Sequence, residues 1–243
     1  MAKVSILGVK IDRVTKKQTI EKIANFVKSQ KPHQIVTINP EFVMTAQKDK
    51  EFKEVINRAD LAIADGVGII WASRLVQHSL SERIAGVDLV DEIAKLASQN
   101  NWSIYFLGAK EGIAQKAAEN LKKKYKNLKI VGFESGSPHD LTIIEKIKKT
   151  KPDILLVAFG APKQDKWIYK FKESLNVPVM MGVGGSFDFI AKKVPRAPKW
   201  LQNIGLEWFH RLINEPWRLK RQLDLPKFAF LVIISKLCTL TRR

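Results

Sequence analysis

The chain reads as an α/β protein, and three features of its 243 residues say so. Short β-branched runs alternate with longer stretches of helical period, the pattern of βαβ units that lay down a mostly parallel sheet. Several run ends are polar or glycine-rich, and the crevice beyond the carboxyl ends of such strands is where these sheets bind ligands. From residue 196 the alternation stops, and basic, tryptophan-rich and finally apolar helix-like segments follow. The prediction is a Rossmann-like domain over residues 1–195 and a helical appendage over residues 196–243.

Taken in order, the strands are expected at 4–7 (VSIL), 34–38 (QIVTI), 61–64 (LAIA), 103–107 (SIYFL), 129–133 (KIVGF), 154–159 (ILLVAF) and 177–183 (VPVMMGV). Each is short, apolar and bounded by polar or turn-forming residues. Between them the spacing predicts helices over 15–29, 41–47, 67–77, 87–99, 112–124, 141–149 and 163–174. In the appendage, Pro198, Pro216 and Pro226 each suit the opening of a new helix, because proline is tolerated in a first helical turn.

Composition narrows the partners. With 45% hydrophobic residues and a mean hydropathy of −0.13, the chain can build a core. A net charge of +18 and a pI near 9.9 point to an anionic partner: phosphorylated substrate, acidic lipid or nucleic acid. The opening MAKVSILGVKIDR is too short in its apolar part for a signal peptide, so a cytoplasmic location is expected. Cys238 is the one cysteine, which allows no internal disulfide and fits a reducing compartment. His33, His78, His139 and His210 lack metal-ligand spacing, and neither metal nor cofactor is expected.

Of the +18, +7 lies in residues 196–243, where ten Lys and Arg face three acids. Trp200, Trp208 and Trp217 suit the headgroup level of a bilayer, and the flanking cations suit anionic lipid. The apolar stretch 228–234 falls well short of the ~20 residues needed to cross a membrane. The appendage is therefore expected to lie on an anionic membrane surface, peripheral to the inner face. A terminal helical hairpin packed on the main domain is the alternative.

The residues after the strands carry the chemistry. Asp65 follows a strand and precedes Gly66, which would hold its carboxylate at the crevice; a helix N-cap is the competing role. Thr37 and Asn39 end the neighbouring run, and Asn39 before Pro40 also suits an N-cap. Gly108, Gly184 and Gly185, with Asp188 just beyond, sit in loops whose backbone N–H groups could approach a phosphate. The GVGGSF run at 182–187 places Phe187 where a dinucleotide fingerprint needs a small residue, against a nicotinamide-dependent oxidoreductase. A nucleic-acid binder would use the positive charge, yet no nucleic-acid motif occurs, and none is expected as partner. No D-x-D triplet is present to hold a divalent ion on a diphosphate. Arg211, Arg218 and Arg221, spaced seven and three apart, fall roughly on one helical face and offer that counter-charge, or contact anionic lipid instead.

The runs TINPE (37–41), ADG (64–66), ERIAGVD (82–88), FGAPKQ (159–164), GVG (182–184), FDF (187–189) and RAP (196–198) through GLEW (205–208) together resemble the WecG/TagA/CpsF glycosyltransferase family, in order and over essentially the whole chain. The resemblance implies an inverting, metal-independent transferase. Within the family the chain is most similar to the members that build the teichoic-acid linkage unit. That implies transfer of N-acetylmannosamine from UDP-ManNAc to undecaprenyl-diphosphate-GlcNAc; use of another donor such as UDP-ManNAcA is the related alternative. Carried over by motif position, Asp65 is the base, Thr37 and Asn39 lie beside the sugar, Gln164 is a further polar contact, and Arg83 and the appendage arginines face phosphates. One departure stands out: after FDFIA (187–191) the family usually has glycine, whereas this chain has Lys192. The sequence leaves open whether the protein is a homo-oligomer.

Overall fold

The computed structural model describes residues 2–76 and 79–240. Gln77, the expected end of helix 67–77, lies outside the described residues, as do His78, Arg242 and Arg243.

The first expected strand pairs elsewhere than the main sheet. β1 (Lys3–Ile6) and β2 (Val9–Asp12) form a separate antiparallel hairpin. Leu7 and Gly8 make its two-residue turn, both at positive φ, which matches the right-handed twist of the strands. The cue was present in sequence, since Val4, Ile6, Val9 and Ile11 alternate about that turn and all four are buried. The hairpin then covers a sheet edge: buried Asp12 accepts from the Ala62 N–H through Oδ2 at 2.9 Å.

Among the described residues the main sheet has six parallel strands: β3 (His33–Ile38), β4 (Leu61–Ala64), β5 (Ser103–Gly108), β6 (Lys129–Glu134), β7 (Ile154–Ala158) and β8 (Val179–Gly182). Their order is β4-β3-β8-β7-β5-β6. The period of two sorts their side chains. Leu61, Ile63, Ile104, Phe106, Ile154 and Leu156 face one layer, built from α1 (Lys16–Ser29), α5 (Gly86–Asn100), α6 (Ile113–Lys124) and α9 (Ser186–Ile190). On the opposite face Val36, Ile38, Ala62 and Ala64 pack against α2 (Pro40–Lys48), α3 (Lys50–Asn57) and α4 (Val67–Leu75). Beside them Tyr105, Leu107, Leu155 and Val157 pack against α7 (Thr142–Thr150) and α8 (Lys163–Leu175). Phe187, the residue that spoils the dinucleotide fingerprint, is wholly buried 5.1 Å from Phe106, where its bulk fills core.

Strand order sets the crevice. The chain leaves β5 toward β6 on one side and leaves β7 toward β8 on the other, so the connections part between β5 and β7. Such a reversal opens a cleft at the carboxyl ends of the strands.

The appendage is broken where proline predicts. α10 (Lys199–Asn203) follows Pro198, α11 (Glu207–Asn214) ends before a 3₁₀ turn at Pro216–Arg218, and α12 (Leu219–Gln222) leads into α13 (Asp224–Leu240). Pro226 sits in the first turn of α13, where its missing N–H costs nothing. The last helix lies against α2 and α4, and Phe228 and Val232, one turn apart, enter the same cluster as Val36 and Ile38. Burying two such side chains contributes about 1.5–3 kcal/mol each. No helix among the described residues is long and apolar enough to cross a membrane.

Lys192, at the position where the resemblance implies glycine, takes φ +59° just past α9. The left-handed conformation costs an L side chain roughly 1–2 kcal/mol, part of which glycine would give back through its freer unfolded chain. Lys192→Gly is therefore expected to raise stability by about 0.5–1 kcal/mol, read from the denaturant midpoint at unchanged slope.

Candidate active site

All six parallel strands contribute to one cleft of about 1240 Å³ at their carboxyl ends. Thr37 lies near the end of β3 and Asn39 follows it, Asp65 follows β4, Ala109 and Lys110 follow β5, Ser137 follows β6, Gly160 follows β7, and Gly184 and Gly185 follow β8. Of the residues expected at the site, Thr37, Asn39, Asp65, Arg83, Gln164, Gly184, Gly185, Asp188, Arg211, Arg218 and Arg221 line it. Gly108 does not. At φ +94° it brings β5 tight against β7, so that a Cβ there would stand 2.8 Å from the Ala158 carbonyl carbon, and the cleft wall passes to its neighbours Ala109 and Lys110.

The two roles open for Asp65 are separated by geometry. The N-cap of α4 is Gly66, at φ +99° and ψ 140°, a conformation that needs glycine, and no side chain caps the helix. Asp65 instead turns toward the start of α5, where Oδ2 accepts from the Gly86 N–H at 3.2 Å. Around Gly86 the cleft floor converges: a Cβ placed there would lie 3.5 Å from Asp65 Oδ2, 3.7 Å from the Thr37 methyl and 3.8 Å from Ser186 Oγ. Burial pushes the Asp65 pKa up to about 6. The Gly86 N–H and the Arg83 charge pull it back, while Glu207 and Asp88 add to the rise. A carboxyl so placed is ionised at neutral pH yet a stronger base than an exposed aspartate.

Asn39 does cap α2, accepting from the Phe42 N–H at 2.9 Å, while also lining the cleft. Gln164 is buried, and its Oε1 accepts from the N–H groups of Gly160 at 3.1 Å and Gly184 at 3.0 Å. One side chain thus ties the loop after β7 to the loop after β8. Its neighbour Asp165 is fully buried, and burial pushes its pKa up to about 7 against the pull of Gln164.

Arg83 is engaged, with NH2 donating to Glu207 Oε2 at 2.7 Å. Glu207 Oε1 accepts from Arg196 Nε at 3.0 Å, and Arg196 also makes a bidentate pair with Asp88. Burial raises the pKa of Asp88, but Arg196 outweighs it and holds the carboxyl below its ordinary value. Three separated motifs, at 82–88, 196–198 and 205–208, meet in this network and fasten α11 to the start of α5.

The three appendage arginines do not share one helix face, because Pro216 interrupts the helix between them. Arg211 lies in α11, Arg218 in the 3₁₀ turn and Arg221 in α12. Arg211 and Arg218 nevertheless converge, both donating through Nε to Glu215 Oε2 at 2.6 and 2.7 Å. Arg221 turns to Glu41. Glu215, buried, was missed in sequence, although its spacing of four from Arg211 and three to Arg218 suits helical pairing. The Arg211 guanidinium stacks 4.6 Å over the Phe189 ring and abuts Gly185, where a Cβ would collide with it. Its NH2 is buried and has no hydrogen-bond partner among the described residues. Burial and the nearby Arg211 push the Arg218 pKa down, so this corner of the cleft is short of negative charge.

A carboxylate raised in pKa and a cluster of arginines thus share one crevice at the carboxyl ends of a parallel sheet, where such sheets bind ligands. Residues 4–242 match the model of the glycosyl transferase WecG/TagA/CpsF family. The chain belongs to that family and is a glycosyltransferase. It is 38% identical over 200 residues, 82% of its length and 78% of the relative's, to N-acetylglucosaminyldiphosphoundecaprenol N-acetyl-beta-D-mannosaminyltransferase of Bacillus subtilis (strain 168). It is 35% identical over 238 residues to the protein of the same name from Staphylococcus aureus (strain MW2), covering 97% of this chain and 94% of that one.

Proposed function

We propose that this glycosyltransferase moves N-acetylmannosamine from UDP-ManNAc to undecaprenyl-diphosphate-GlcNAc with inversion, in assembly of the wall teichoic acid linkage unit. The relatives' names support the acceptor and the sugar. The observation that carries the mechanism is the pairing, in one cleft, of Asp65 at a pKa of about 6 with an Arg211 NH2 that lacks a partner.

The acceptor hydroxyl gives its proton to Asp65 as its oxygen bonds to the anomeric carbon. The bond from that carbon to the β-phosphate oxygen breaks, and its electron pair leaves with UDP. Arg211 and Arg218 meet the charge that develops there, aided by N–H groups of the loops at Gly184 and Gly185. Thr37 and Asn39 complete the sugar end of the cleft, and Arg83 faces phosphate as the resemblance implies. The test is a donor screen against a short-chain, water-soluble GlcNAc-diphosphate acceptor read by mass spectrometry. A gain of one N-acetylhexosamine from UDP-ManNAc alone is expected, and transfer from a different sugar nucleotide would redirect the reading.

Catalysis is expected to need no divalent ion, since arginines supply the counter-charge. Turnover should survive excess EDTA; loss on chelation with recovery on adding magnesium or manganese would put a metal in place of the arginines.

Membrane association is assigned to the rim of the appendage, where Trp200, Ile213, Phe230 and Ile233 stand exposed among cations. Removing the appendage would also strip Phe228 and Val232 from the core, so surface substitution is the cleaner test. The protein should sediment with anionic vesicles, less so at high salt, and the double change Trp200→Ser and Phe230→Ser should shift it to the supernatant at unchanged thermal midpoint. Equal sedimentation of both forms would remove the rim from the account.

A further inference from the structure

Two sets of exposed apolar side chains stand out around the appendage and the cleft. Trp200, Ile213, Phe230 and Ile233 project from the rim and do not line the cleft. Val67, Trp71 and Trp217 are 44%, 38% and 73% exposed, yet they line the concave cleft itself, together with Leu225 and Phe228. The first group meets bulk surroundings. The second walls a groove.

The groove begins beside the base. Val67 is two residues from Asp65, and Trp71 lies one turn further along α4, a rise of about 6 Å. α4 buries Ile69 and Ala72 in the core while Val67 and Trp71 face the cleft, so the helix is apolar on both sides. A helix apolar all round is ordinarily covered all round. Protein covers one of these faces. On the other, Gly68 lets Pro40 and the Phe228 ring close in: a Cβ there would stand 2.8 Å from Pro40 Cγ and 3.8 Å from Phe228 Cε1. Arg221, paired to Glu41 on α2, lines the same cleft.

We propose that this wall of α4 and α13 binds the first isoprene units of the acceptor's polyprenyl chain, a specificity subsite separate from the membrane-facing rim. The inference rests on the acceptor class given under the proposed function. With the acceptor sugar at Asp65, the diphosphate runs past Gly66 and the chain continues along Val67 and Trp71 toward Phe228. Continuity with the catalytic cleft selects this occupant: an apolar groove that starts at the base and ends at the appendage fits a ligand with a sugar at one end and a hydrocarbon at the other. A bilayer, being flat, does not enter it.

The experiment compares two soluble acceptors without lipid or detergent, GlcNAc-diphosphate carrying either a methyl group or three isoprene units. The full-length protein should favour the isoprenyl acceptor in kcat/KM by about tenfold, the scale of burying some 60 Å² of hydrocarbon. Trp71→Ala should collapse that ratio to within about threefold of unity, Trp71→Phe should restore most of it, and Trp200→Ala on the rim should keep it whole. A ratio near unity in the wild type, or one unmoved by Trp71→Ala, overturns the groove while leaving the transferase reading intact. Calorimetry with farnesyl diphosphate against inorganic pyrophosphate gives a readout that needs no turnover. Binding of the former that weakens in Trp71→Ala supports the groove, and equal binding of both ligands overturns it. If neither acceptor is glycosylated by any form, the functional reading itself falls, whatever the binding shows.

Discussion

Asp65→Asn is expected to cut turnover by about 100-fold or more, the usual contribution of a positioned base, while UDP binding is retained. Asparagine keeps the shape and an oxygen for the Gly86 N–H but cannot take the acceptor proton. The wild-type pH profile of kcat/KM should fall below a limb near the Asp65 pKa of about 6, and that limb should vanish in the variant. Stability supplies an independent check. The folded pKa is raised above the ordinary 3.8, so native Asp65 holds its proton more tightly than the unfolded chain does. Below both values the two forms carry the same charge and the wild type bears no penalty. As pH rises through the window between them and past about 6, the wild type comes to bear the cost of a buried carboxylate. Asp65→Asn should therefore melt at or above the wild-type temperature at pH 7.5, with the difference closing toward pH 4. A well-folded variant with near-normal turnover would leave Asp65 without its role as base.

How much of this was legible in sequence depends on the range of the interaction. The parallel strands and most helices declare themselves through local periodicity, and the strand ends alone nominate Thr37, Asn39 and Asp65. The β1–β2 hairpin is local as well, but its turn, Leu7-Gly8, lacks the usual Asn or Asp, and the run after it is only four residues long. What sequence could not show is which partner each charge would find. Arg83, assigned to a phosphate by motif, is held by Glu207 across 124 residues. Gln164 spends its carbonyl on two loop amides. Asp65 could cap α4 by sequence alone, and only the structure shows that its carboxylate meets the Gly86 N–H, 21 residues away, instead. Lys192 shows the converse: the departure from glycine was visible, but only the backbone angle shows the strain it carries.

The appendage arginines separate two accounts of why this chain needs its last 48 residues, 196–243. If the appendage is an anchor only, an arginine there contributes through anionic lipid, and its loss should scarcely matter with a soluble acceptor and no membrane. If it completes the active site, the loss should persist without lipid. Arg211 is the sharper choice for the test. Its Nε is held by Glu215, its plane by Phe189, and its buried NH2 points to no partner, as an oriented donor awaiting an anion would. A charge contact to a developing oxyanion is typically worth ~3 kcal/mol, or about two orders of magnitude in rate. Arg211→Ala, assayed on the methyl acceptor in lipid-free buffer, should therefore lower kcat by about 100-fold. Arg211→Lys should recover little, because an ammonium cannot keep the fork that Glu215 and Phe189 orient. Arg221 provides the comparison. Its guanidinium is tied to Glu41 on α2, so Arg221→Ala should cost several-fold less than Arg211→Ala in the same buffer. Equal, small losses at both positions would return the appendage to the role of anchor and place the counter-charge for UDP within residues 1–195.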